Sequence, residues 1–473
     1  MLEARPILAI GGILLVIVAA LAVVSFGFPY GMTIDETPLA AYVTTALVAG
    51  GVWALLPRFI KRSDQRGISV LAVVLIGLAM RGAMFLSLPV LEDDSYRYLW
   101  DGAVTANGHD PYEFAPAEAS VSTILGVDPV EPTDPQLAAL RDLAETHSEP
   151  HSRINYPYVA TIYPPLAQAA FAAAYMIDPF GLGGWRLVLL IADLISLCLL
   201  FKLLRAHDRS SVWASLYWWN PVVVLQGFGA GHMDVLLLPF VLAALLFAHH
   251  GKLALSSIAL AGAVAVKLWP ILLFPLFIRP LLSQPIKLVV GSALFAGGVI
   301  IALLPQLLHV LNPEAGLNAY ASEWRTHAFV FAVLEDFVFA AFEEPGRMAR
   351  IVVAGILTAM TGWLALRFAG DPERLPILVA VTIASLIFLS PTGYPWYLIW
   401  IAPLLAFVPH PGLLSVSALA PLYWLRFPLG DEAMLYQWGV VPLAFGVPLI
   451  FIFLPMLKRG RDDAIRDHHP SFE

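Results

Sequence analysis

Long apolar runs recur from one end of the chain to the other, and they leave few folds open. They fall near residues 6–28, 38–57, 68–90, 161–178, 185–204, 211–228, 233–250, 253–278, 286–308, 349–367, 375–390, 395–408, 411–427 and 436–457. Crossing the hydrocarbon core as a helix takes about 20 mainly apolar residues. Lipid offers no partner to a bare amide, so spans are helices unless a barrel closes. Hydrophobic residues make up 59% of the 473, and charged residues 13%. A soluble domain carries roughly a quarter charged residues. The chain is therefore expected to be an all-α polytopic membrane protein with about 12–14 transmembrane helices. No tandem repeat is visible.

The first run is longer than a signal-peptide core and reads as a retained span. The single cysteine, Cys198, lies in an apolar run and excludes a disulfide framework. The net charge of −8 is unevenly placed: residues 91–160 hold 13 acids against Arg97, Arg141 and Arg153. That sign argues against a nucleic-acid partner. Arg58, Lys61, Arg62 and Arg66 should keep the loop before residue 68 in the cytoplasm. Loops 91–160 and 309–348 then face outward. The segment from Arg279 to Lys287 and the 458–473 tail face inward. Two paths stay open between them. If 161–178 crosses, Lys202, Arg205 and Arg209 fall outside. If it lies in the outer interface, they fall inside, and a half-crossing is needed later, for which the broken run around Lys267 and Pro270 is suited.

Chemistry concentrates in "LEDDSYRYLWDGAVTANGHDPY", residues 91–112. Asp93 or Asp94 is placed to cap a short helix that Gly108 would end. Asp94, Arg97 and Asp101 share a face of it. One carboxylate suffices for a cap; three in a row repel one another. A carboxylate at a membrane rim beside sugar-stacking aromatics suits a general base acting on a hydroxyl.

"DDSYRYLWDG", "INYPYVATIYPPLAQ", "GHMDVLLLPFVLAALL", "KLWPILLFPLF" and "SPTGYPWYLIW" follow one another in the order that resembles bacterial polyprenol-phosphate-mannose-dependent mannosyltransferases. These are integral membrane glycosyltransferases of the GT-C fold. The resemblance runs from about residue 68 to 408. It implies two leading helices in 1–67, a catalytic membrane core in 68–408, closing helices in 409–457 and a cytoplasmic tail from 458. It also implies inverting transfer of a hexose, mannose first, from a polyprenyl monophosphate to a hydroxyl of an envelope glycolipid or glycan. The reaction would take place at the outer face of the cytoplasmic membrane. One base suffices, because the phosphate leaves as an anion. Asp94 stands where the base is expected, with Asp93 and Glu92 as rivals. Arg97 would hold the base or the donor phosphate, and Asp101 would orient the helix or bind a hydroxyl.

Other candidates follow. Lys267 lies deep in an apolar run before Pro270, where an ionisable group suggests function and the donor phosphate is a fitting ligand; snorkelling is the structural alternative. Tyr163 and Gln168 are acceptor candidates beside prolines that also simply start a helix. His232 and Asp234 pair as site-facing groups, or Asp234 caps a helix. Tyr394, Trp396 and Tyr397 make an aromatic floor or an interfacial belt. Trp324, Arg325 and His327 lie in the second outer loop, Arg325 as a further phosphate ligand and His327 as an aid to the base. Asp193 is expected to pair with Arg186 in its own helix. No metal ligands are assigned; a divalent cation on the acidic triplet is left open. No P-loop, dinucleotide fingerprint or HExxH is present. A transferase of another lipid-linked sugar and a secondary transporter are the alternatives. The transporter is disfavoured by the missing repeat.

Overall fold

The structure, a computed structural model, describes residues 5–62, 69–120, 132–309, 324–368 and 370–454. Arg66 and the basic tail lie outside the described residues. The apolar runs fold as helices, and among the described residues no β-strand forms; Thr326 and Thr392 make an isolated bridge. The chain is an all-α polytopic membrane protein. Among the described residues seven helices are long and apolar enough to cross a membrane, or eight if one bent pair counts as a span. The remaining passes between the two ends of the bundle are short or broken.

Helix α1 (Pro6–Ser25) ends beside the acidic triplet, where Ser25 Oγ accepts the Leu88 amide at 3.0 Å. α2 (Leu39–Arg62) leaves that end, and α3 (Val70–Phe85) returns to it. α4 (Asp94–Ala106) and α5 (Pro165–Ile177) have 13 residues each. That is about 20 Å of helix, short of the ~30 Å hydrocarbon core. They lie against each other so closely that any Cβ on Gly102 would strike the Phe171 carbonyl. α6 (Leu182–Ala206) starts beside them, its Trp185 ring 5.2 Å from Phe171 and 5.5 Å from Tyr98. At 13 residues, 165–177 is shorter than a span, whereas α6, with 25, is long enough for one and carries Lys202 and Arg205 to the far end.

The parity problem resolves through breaks. Pieces ending in a π-helical turn, Val223–Gly229, bring the chain back, and Arg186 Nη2 donates to the Gly229 carbonyl at 2.7 Å. Met233–His249, whose second part is α7 (Leu238–His249), then departs at 108° to that turn. α8 (Leu253–Val266) returns and stops at Lys267, whose backbone is extended, and Trp269–Leu281 leaves again. The run 253–278, which the sequence offered as broken around Lys267 and Pro270, is thus two short passes with Lys267 at their apex. α9 (Pro285–Leu307) comes back, Gln306 Nε2 donating to the Ile162 carbonyl at 3.1 Å. α10 (Pro345–Phe368) and α11 (Pro372–Leu389) form the next pair. Proline-started 3-10 pieces, Pro395–Ile399 and Ala402–Ala406, run down to Phe407, whose carbonyl accepts Arg209 Nη1 at 2.9 Å. The chain returns through Pro411–Leu419 and Ala420–Arg426, and α12 (Ala433–Leu454) leaves last.

Indoles fill the interior: Trp53, Trp185, Trp218 and Trp219 are fully buried. α9 by contrast exposes Ile286, Ile300 and Ile301, as a helix facing lipid would. Asp193 is buried and ion-paired, but with Arg81 of α3 at 2.6 Å and with the Tyr217 hydroxyl rather than with Arg186. Arg186 spends its guanidinium on the carbonyls of Phe85, Ser87 and Gly229.

Candidate active site

The passes that end near the acidic loop enclose a cavity of about 890 Å³. Glu92, Asp93, Asp94, Arg97, Tyr163 and Lys267 line it, as do Tyr394, Trp396 and Tyr397. Sequence segments more than 300 residues apart therefore meet in one chamber.

Three adjacent carboxylates enter it differently. Leu91 holds a left-handed backbone, φ 54°, just before them. Such a conformation costs a non-glycine about 1–3 kcal/mol and clusters at functional sites. Glu92 is buried near Tyr423 and Arg426, and burial pushes its carboxyl well above the usual range. Asp93 receives Arg153 Nη2 at 2.6 Å. That guanidinium lies 3.8 Å over the Tyr96 ring and 4.4 Å over Tyr30. Burial still leaves the Asp93 carboxyl raised. Asp94 opens α4, its side chain 22% exposed. One oxygen accepts Asn155 Nδ2 at 3.0 Å, and the other stands 3.8 Å from His232 Nδ1. Burial raises its carboxyl; the Asn155 hydrogen bond and the charge of Lys267 work against that rise.

Arg97 lines the cavity while donating to Asp101 at 2.9 Å and to the Val159 carbonyl at 2.9 Å. Asp101 itself stands behind, accepting Thr161 Oγ1 at 2.5 Å and Gln168 Nε2 at 3.2 Å. Asp101 and Gln168 therefore tie α4 to α5 and brace Arg97. Lys267 Nζ reaches Asp234 at 2.7 Å and lies 4.7 Å over Tyr397 and 5.0 Å over Trp400. Asp234 is buried and also accepts Trp400 Nε1 at 2.5 Å. His232 is buried and stacks on Trp396, ring centres 3.8 Å apart. Tyr394 stacks on Trp396 at 4.3 Å, and Tyr397 on Trp400 at 4.3 Å. The last turn thus makes two aromatic plates.

The second outer loop behaves otherwise. Arg325 is held by Glu335 at 2.7 Å and Asp336 at 2.5 Å and does not line the cavity. His327 is buried behind it, its Nδ1 2.5 Å from the Tyr436 hydroxyl, and burial pushes it down to about 3. Trp324 does line the cavity, its ring 4.2 Å from Tyr156.

Sequence reasoning missed Arg153, Asn155, Tyr423 and Arg426. Arg426 had a signal, an arginine inside the apolar run 411–427. Arg153 and Asn155 had none beyond their loop.

Residues 159–282 match the family model described as Alpha-(1->6)-mannopyranosyltransferase, N-terminal domain. The matched stretch includes Tyr163, Gln168, His232, Asp234 and Lys267 but starts after the acidic triplet. The chain resembles mannopyranosyltransferases. It is 22% identical to Alpha-(1->6)-mannopyranosyltransferase A of Mycobacterium tuberculosis over 392 residues, covering 79% of this chain and 71% of that protein. It is 23% identical to Alpha-(1->6)-mannopyranosyltransferase B of Corynebacterium glutamicum over 404 residues, covering 74% of this chain and 62% of that protein. The resemblance drawn from the motifs is therefore matched by similarity to mannopyranosyltransferases over about three quarters of the chain.

Proposed function

We propose that this chain is a membrane mannosyltransferase of the cell envelope. Its donor is a polyprenyl-phosphate mannose, and its acceptor is a hydroxyl of a lipid-linked or envelope glycan. The similarity to mannopyranosyltransferases supports the sugar and the reaction class. The cavity supports the donor class: carboxylates, cations and aromatic plates converge at one end of a membrane bundle. The far end of α6 carries Lys202 and Arg205, so the positive-inside pattern turns the cavity outward. We take the membrane to be the cytoplasmic one.

Asp94 is the base in this reading, and one observation carries it. Asp93 is engaged by Arg153 and Glu92 is buried, whereas Asp94 lines the chamber with a neutral amide, Asn155, on one oxygen and His232 Nδ1 3.8 Å from the other. A carboxylate of raised pKa takes a proton more readily than a free aspartate. It removes the acceptor proton as the hydroxyl oxygen bonds to the anomeric carbon. The bond from that carbon to the phosphate oxygen breaks on the opposite side, and the configuration inverts. Lys267 and Arg97 line the chamber to receive the phosphate charge, and cationic donors aimed at a leaving anion lower the barrier. The stacked plates of Tyr394–Trp396 and Tyr397–Trp400 offer faces to the sugar or the first isoprenes.

Purified protein in lipid, given radiolabelled polyprenyl-phosphate-mannose and a membrane glycolipid extract, tests this. Asp94→Asn should lower label transfer by about 10²–10⁴-fold while donor binding persists. Full transfer by Asp94→Asn, with loss in Asp93→Asn or Glu92→Gln, would move the base to a neighbour. No transfer by the unaltered protein from any polyprenyl-phosphate hexose would end the reading.

A further inference from the structure

We propose that His207, His249 and Glu373 form a binding site for a divalent transition-metal ion of the zinc class, at the end of the bundle opposite the cavity. The three residues come from separate passes. His207 follows the last turn of α6, His249 ends α7, and Glu373 lies in the first turn of α11. Each offers one ligand atom, and these atoms lie within 4.8 Å of one another. His249 Nδ1 is 3.3 Å from Glu373 Oε1, and His207 Nε2 is 3.7 Å from Glu373 Oε2. Ligands placed tetrahedrally about zinc at ~2.0–2.2 Å stand about 3.3–3.5 Å apart. The two histidine–carboxylate separations, one to each oxygen of Glu373, lie close to that spacing.

The chemistry of each group agrees. His207 Nδ1 is 2.9 Å from the Leu203 carbonyl. A carbonyl only accepts, so Nδ1 carries the proton and Nε2 turns a lone pair to the cluster. Holding the far ring nitrogen on a carbonyl is how metal-binding imidazoles are oriented. His207 Nε2 and His249 Nδ1 are both buried without a hydrogen-bond partner. The His207 side chain is 7% exposed. Two buried ring nitrogens left unpaired are costly, and one cation between them satisfies both when His249 carries its proton on Nε2. Two helix ends, those of α6 and α7, present the negative ends of their dipoles there. Glu373 supplies a formal charge and is fixed by its amide, which donates to Asp371 Oδ1 at 3.0 Å. Two imidazoles with one carboxylate suit zinc, nickel or copper better than magnesium or calcium. Glu373 is 57% exposed, which leaves the remaining coordination position open to solvent. An ion here would join the ends of three passes distant in sequence and restrain them as one unit.

The test uses the full chain in detergent, stripped with a chelator and titrated with zinc by calorimetry, with cobalt as an absorbing probe. Adjacent histidines also take zinc, so the titration is done in a His468→Ala/His469→Ala background. One equivalent should bind and raise the Tm. His207→Ala and His249→Ala should each weaken binding more than about 100-fold, since even groups that only orient ligands cost up to that. They should also abolish the cobalt d–d absorption and the zinc-induced rise in Tm. Glu373→Gln, an exposed position, should weaken binding in the same direction and keeps the test open if the histidine variants fail to fold. Absence of zinc uptake by the parent chain would overturn the proposal. So would equal uptake by the parent and by the folded Glu373→Gln and His249→Ala variants.

Discussion

Glu92, Asp93 and Asp94 are neighbours in the chain but not in their surroundings, and only the surroundings sort them. The opening of α4 turns Asp93 toward Arg153 and Asp94 toward Asn155. Burial raises the Asp94 carboxyl. If Asp94 must be ionised to act, the acid limb of the kcat/KM profile should lie above the ordinary aspartate value of about 3.9. Asn155 bonds the charged form and so opposes the rise; Asn155→Ala should move the limb to still higher pH. Profiles that coincide for the two proteins would mean that the limb belongs to another group. His327 titrates the other way. Burial depresses it to about 3, against about 6.5 in an unfolded chain. The unfolded chain binds the extra proton between those values. The stability this neutral imidazole contributes is present above pH ~6.5 and is lost as pH falls toward 3. Thermal melts of His327→Gln should accordingly fall less steeply from about pH 7 to 5 than those of the parent. The triplet was legible in the sequence because three adjacent acids at a helix start are more than a cap needs. Arg153 and Asn155 were not, because a loop residue shows no partner until the loop folds back 60 residues later.

At the scale of elements, helical periodicity relates residues within one helix and is silent about the next. It therefore offered Arg186 to Asp193, although the cation that arrives is Arg81, from a pass 112 residues away. The pair is fully buried, the Tyr217 hydroxyl completing it. Removing one member strands a buried charge, at about 3–5 kcal/mol; exchanging both for apolar groups can be neutral. Asp193→Leu should lower the Tm sharply, and Arg81→Met/Asp193→Leu should recover much of the loss in the same detergent. A double variant as unstable as the single one would assign the cost to packing rather than to charge. Hydropathy likewise registered 253–278 as one apolar run; Lys267 and Pro270 marked a break in it, but apolar content is blind to the full chain reversal found there. The reversal at Lys267 needs an extended residue at the end of α8, and that is a property of the surrounding passes.

For the whole molecule, the apolar pattern settled the class, while the charge pattern offered an orientation and left open whether 161–178 lies flat or crosses. The contacts of Trp185 with Tyr98 and Phe171 hold the start of α6 at the cavity end. Lys202, Arg205 and Arg209 then gather at the other end, which under the proposed orientation is the cytoplasmic one. The consequence is an ordering of accessibilities. Cys198 is exposed on α6 and is first replaced by serine to remove its signal. In that background Glu145→Cys, on the acidic loop, should react with a membrane-impermeant maleimide on intact cells. Asp208→Cys, beyond the end of α6, should react only after permeabilisation. Both positions are solvent-exposed, so a difference between them reports the membrane and not burial. Labelling of both from outside would require 165–177 to cross after all. It would also place the His207–His249–Glu373 cluster on the same side as the cavity, a geometry that the 25 residues of α6 between them do not allow.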